Sequence, residues 1–214
     1  GLIDFRDAPP FNRFRFAALF ITVLSLTLIS RHMVQPSEIG RWLETIGAIS
    51  ADMIDFPYSP VRLVVLMLPE GTSIDVIDRV RIAAALAYLI SLLSLALFYY
   101  AIRVRRWPVH DGIFNVWINL PTFDPTSGED VVHRLARDAR FNVALGFLMP
   151  FFVPAITKTA SSLFGVVNLD NPHTMIWVVA AWAFLPASLF MRGMAMSRIA
   201  QLIETKRRRA AAQM

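Results

Sequence analysis

Four apolar runs dominate the chain, and its charged residues stand in blocks between them instead of alternating with apolar positions. A helix needs about 20 apolar residues, at 1.5 Å each, to cross about 30 Å of hydrocarbon. The first run, residues 14–34, just reaches that length if Arg31 snorkels at its far end, and Arg6, Arg13 and Arg15 flank its start. The second, residues 82–104, has no charge before Arg103, and Tyr99 with Tyr100 falls where an interfacial aromatic belt belongs. The third, residues 141–157, contains Pro150 and Pro154. Two prolines four apart remove backbone donors from one helix face and predict a kink. The fourth, residues 174–191, contains Trp177, Trp182 and Pro186 and ends at Arg192. The pattern predicts an all-α integral membrane protein with four transmembrane helices, one domain over residues 1–214. The first run is followed by no small-residue cleavage site and is read as a retained anchor.

The connections have patterns of their own. In the outer loop, residues 35–80, Ser37 is an N-cap candidate, and Ile39, Trp42, Leu43, Ile46, Ile49 and Met53 recur at helical spacing. An amphipathic helix is expected over residues 37–54. Its acidic polar face makes it a weak membrane binder, so packing on protein is the favoured reading. The run VRLVVLML, after a turn between Pro57 and Pro60, is too short to span and predicts a buried or interfacial element. Gly71, Thr72 and Ser73 are placed to start a helix that rises outside the membrane, with Asp75 and Arg79 four apart on it, and continues into the second span. Such a helix would be about 50 Å long.

The loop at residues 107–140 divides in two. Its first part is apolar and aromatic, with Ile113, Phe114, Trp117 and Ile118 as docking candidates. Its second reads as a helix capped by Thr126 or Ser127, with Glu129 and Asp130 in the first turn, feeding the third span. Residues 192–214 form a basic tail, read as a helix extending from the fourth span.

Charge fixes an expected orientation. Arginines crowd the start of the chain, both membrane ends of the 107–140 loop and the tail, whereas the 35–80 loop is dominated by Asp and Glu. The positive-inside bias places both termini in the cytoplasm, in a multi-pass protein of a bacterial inner membrane, and makes 35–80 periplasmic. The net charge of +5 rests on arginine, since Lys158 and Lys206 are the only lysines. Arg103, Arg105, Arg106, Lys206, Arg207, Arg208 and Arg209 are therefore read as contacts for anionic lipid, not for nucleic acid. With 56% hydrophobic and 17% charged residues, the chain is more apolar than a soluble domain.

Candidate chemistry is sparse. With no cysteine, thiolate metal sites and cysteine nucleophiles are excluded. His32, His110, His133 and His173 fall at span ends or in loops, where a cofactor ligand is not expected, and His32 reads as an interfacial histidine. No ionisable residue falls near the centre of a run, which argues against proton relays and ion-coupled carriers. Nucleotide-binding and hydrolase motifs are absent from the sequence. These features predict a noncatalytic accessory or structural subunit of a larger membrane complex, of the energy-transducing or the secretion and envelope type, with no cofactor. Ile39, Trp42 and Ile46 are its outer docking candidates, and small residues at 83–85 and 180–183 allow close helix contact. The alternative is a small oligomeric transporter or channel whose path follows helix kinks at Pro150, Pro154 and Pro186, lined by Asn142, Thr157, Thr159 and Ser161.

Overall fold

The computed structural model describes residues 10–104, 131–164 and 169–212, and these form six α-helices with no strand among them. In chain order they are α1 (Pro10–His32), α2 (Glu38–Ile54), α3 (Pro60–Val65), α4 (Ile74–Val104), α5 (Val131–Phe164) and α6 (Pro172–Ala211). Four of them, α1, α4, α5 and α6, are long and apolar enough to cross a membrane, and they contain the four runs of the sequence. The protein is a multi-pass integral membrane protein. The proposed start of the 107–140 loop helix at Thr126 to Asp130, His110, and the arginines at 6, 105 and 106 lie outside the described residues.

Three of the spans are parts of longer helices. The 31 residues of α4 cover roughly 46 Å, so the helix begins outside the second run, as its Gly71 to Ser73 start predicts. Val76 and Ile77 donate N–H bonds to the carbonyl of Ser73, and Gly71 turns with φ +88. The third run lies within the 34 residues of α5, and the helix runs unbroken through Pro150 and Pro154. The fourth extends past Arg192, as the reading of the tail as a helix predicts. Helix α6 continues for 40 residues, roughly 60 Å, carrying the basic tail as its last turns. Its start is set by Asn171, whose side-chain oxygen accepts from the N–H groups of His173 and Thr174, with Pro172 at the first helical position.

Helix α6 is the central element: 56% of its most apolar stretch is buried, against 22% for α5. In the half nearer α2, alanines 83 to 85 and 87 of α4 meet Val179, Ala180 and Ala183 of α6, and Leu26 of α1, Ala51 of α2, and Val61 and Val64 of α3 close the same cluster. In the other half, Phe11 of α1 and Phe98 and Ile102 of α4 pack on Met191 and Ala195 of α6. Helix α5 leans almost entirely on α6, and further along Leu135 and Ala139 meet Met196, Ile199 and Ala200. Its outward side exposes Phe141, Leu145, Leu148, Phe152 and Ile156, as a lipid-facing span should.

Glycine sets the α5–α6 distance. A Cβ on Gly146 would stand 2.9 Å from the carbonyl oxygen of Pro186, and one on Gly193 would stand 2.8 Å from that of Ala139. Both are closer than a side-chain carbon tolerates, so the backbones touch where no larger residue fits.

Candidate interaction surfaces

The three prolines act first on hydrogen bonding inside the bundle. Pro154 has no N–H for the carbonyl of Pro150, four residues earlier, and the indole Nε1–H of Trp182 on α6 donates to that oxygen at 3.1 Å. Trp182 is buried and stacks on Tyr88 of α4 at 5.8 Å. Next to the carbonyl that Pro186 deprives of its donor, the oxygen of Ala183 accepts from Ser91 of α4 at 3.0 Å. The acceptor released by Pro154 thus ties α5 to α6, and the Ser91 bond ties α4 to α6.

The residues needed for a pore are not gathered. Asn142 is buried and donates to the carbonyl of Asp138 in its own helix, and Thr159 is exposed and donates to that of Ala155. These two stand on different faces of α5, roughly 25 Å apart along its axis. The side chain of Ser161 lies outside the described residues. Among the described residues no group of three or more His, Asp or Glu side chains comes together to hold a metal ion.

At one end of the bundle, α2 begins where predicted, with Ser37 Oγ accepting from the N–H of Gly40 at 3.1 Å. His32 proves to be a connector between α1 and α2. Its Nδ1 accepts from the N–H of Ser37 at 2.8 Å, its Nε2 points at Glu44 from 3.6 Å, and its ring occupies the space a Cβ on Gly40 would need. The other end of α2 is held by Arg81 of α4, which pairs with Asp52 at 2.8 Å and Asp55 at 3.2 Å, while Arg62 of α3 reaches Asp55 at 3.4 Å.

These anchors give α2 three faces, roughly 120° apart on the helical wheel. One carries Gly40, Gly47, Ser50 and Ala51, all buried, and packs on α1 and α4. A second carries Arg41, Glu44, Thr45 and Asp52. The third carries Ile39, Trp42, Ile46, Ile49 and Met53, all exposed, Trp42 at 67% and Met53 at 79%. The expectation that the apolar stripe packs on this protein is therefore corrected. Small residues make the packing face, because only they let α2 lie close to Ile82 and Leu86 of α4, and the large apolar side chains point away. Phe56, Tyr58 and Ile74 are also exposed at this end of the molecule, with Tyr58 in a left-handed turn at φ 67.

At the opposite end, Arg103 closes α4 with its guanidinium over the ring of Tyr99, 5.4 Å from the centroid. Lys206 to Arg209 lie exposed on the last turns of α6, where Arg208 pairs with Glu204. Ile113, Phe114, Trp117 and Ile118 lie outside the described residues. Comparison of the chain with protein-family models, with curated proteins and with solved structures gives no match. What the fold itself establishes is a four-span integral membrane protein with an unpartnered apolar stripe on one helix outside its bundle.

Proposed function

We propose that the chain is a noncatalytic accessory subunit of a larger membrane complex, of the energy-transducing or the secretion and envelope type. One observation carries the reading: the apolar stripe of α2 faces outward while the helix is already fixed to its own bundle through a different face. A stripe holding Trp42, three isoleucines and a methionine, followed by exposed Phe56 and Tyr58, is the kind of contiguous apolar surface that soluble exteriors do not keep. Glu38, Glu44, Asp52 and Asp55 beside it make adsorption to anionic headgroups unfavourable. A partner subunit's apolar surface fits better.

In this reading the charge asymmetry sets both termini in the cytoplasm of a bacterial cell, with α2 on the periplasmic side. Arg103 and Lys206 to Arg209 then lie against the anionic inner leaflet. The pore alternative has less support, because Asn142 and Thr159 are satisfied within α5 and face different ways.

Purification from the native membrane in mild detergent tests the proposal. A stoichiometric protein partner should accompany the wild-type chain and be lost from Trp42→Glu/Ile46→Glu, while helicity and elution as a folded particle are kept. A wild-type protein that runs as a monodisperse monomer with no partner would sink the reading.

A further inference from the structure

At the end of the bundle away from α2, α4 and α5 both rest on α6 but barely meet each other. A cavity of about 960 Å³ opens between them. Its floor includes Gly193, where α5 and α6 touch. Its inner part is apolar, walled by Val143, Ala144, Phe147, Phe190 and Met194. One to two turns beyond stand Arg103 from α4, Arg140 from α5 and Arg198 from α6. Three helices thus aim one cation each at one groove. The carboxylate lining it, Glu204, is engaged by Arg208 at 2.5 Å, and His133 and Tyr99 also line it. Arg198 keeps its Nε buried with no hydrogen-bond partner in the protein. The terminal N–H groups of a guanidinium are the ones that offer a phosphate oxygen paired, charge-assisted hydrogen bonds.

We propose that this groove binds one anionic phospholipid of the adjacent leaflet. The phosphate sits among Arg103, Arg140 and Arg198, and the upper part of an acyl chain lies along Phe147 and Phe190. The shape follows from depth. The arginines stand at the interface, where snorkelling cations meet headgroups, and the apolar wall runs from them roughly 10 Å into the hydrocarbon. Basic pockets between transmembrane helices recognise anionic headgroups in this way. The site is distinct from the Lys206 to Arg209 tail, whose attraction to a charged leaflet needs no pocket. It rests on the membrane reading alone and not on the subunit role, so loss of a partner leaves it standing.

Native mass spectrometry of the purified chain, delipidated and then titrated with phosphatidylglycerol or phosphatidylcholine, tests it. One phosphatidylglycerol should be retained per chain, with phosphatidylcholine held roughly tenfold less well. Arg103→Gln/Arg140→Gln/Arg198→Gln should lower retention by roughly tenfold or more, whereas Lys206→Gln/Arg207→Gln/Arg209→Gln, which leaves the Arg208–Glu204 pair in place, should keep it. Inorganic phosphate in excess should not displace the lipid, since it has no chain to lie on the apolar wall. Equal retention of the two lipids would overturn the proposal, and that comparison needs only the wild-type chain. So would equal loss from the groove and tail variants, which would mean diffuse attraction, or displacement by phosphate, which would mean an anion site without lipid.

Discussion

Pro154 cannot give the carbonyl of Pro150 an N–H, and the indole of Trp182 supplies one from the neighbouring helix. A buried acceptor stripped of its donor costs on the order of 1 to 3 kcal/mol, so Trp182→Phe should lower thermal stability in detergent by about that much. The smaller ring against Tyr88 adds a packing loss of its own, so the hydrogen bond is isolated by a second substitution. Pro154→Ala restores a helical donor to the same oxygen, and the double variant should lose less than Trp182→Phe alone. Additive effects in this cycle would mean that the two groups do not share the carbonyl. Gly146 makes a second residue-scale case. Gly146→Leu would drive a side chain into the Pro186 carbonyl and the ring of Phe190, and should destabilise the α5–α6 pair by roughly 1 to 3 kcal/mol, read from thermal unfolding.

At the scale of the element, α2 combines two readings that the sequence offers only one at a time. Its periodicity and its Ser37 cap are legible, because a single helix dictates both. Which side turns inward is not, because that depends on how closely Gly47 can approach Ile82 and Leu86 of α4, which come from another part of the chain. Arg81 and His32 are equally opaque. The first looks like a stray cation in an acidic loop and the second like an interfacial histidine, until the fold brings Asp52, Asp55 and Ser37 to them. In the sequence Arg103 is legible as a lipid contact and Arg140 and Arg198 as contributions to orientation, but nothing there brings the three to one groove. The two faces of α2 should separate experimentally. Gly47→Val, which places carbon against Ile82, should loosen α2 and raise its cleavage by an added protease. Trp42→Ala should leave cleavage unchanged.

For the whole molecule, the four spans are the most legible feature, since twenty apolar residues in a row have few places to go other than a bilayer. Their packing order is not written in the same way. The sequence ranks the second run as the most hydrophobic, yet the fourth helix is the hub, because its alanines and Gly193 let three neighbours approach. The natural absence of cysteine allows topology to be mapped with single introduced thiols. Tyr58→Cys should react with an impermeant reagent in intact cells, and Ala212→Cys should react only after lysis. Labelling of Ala212→Cys but not Tyr58→Cys from outside would reverse the proposed orientation, and labelling of both would break it.

The subunit reading stands on what covers α2. A benzophenone amino acid placed at Trp42, and as a control at Thr45 on the polar face, can be photoactivated in the native membrane. A discrete protein adduct from position 42, absent or much weaker from position 45, is the predicted result. Adducts with lipid alone from position 42 would contradict it.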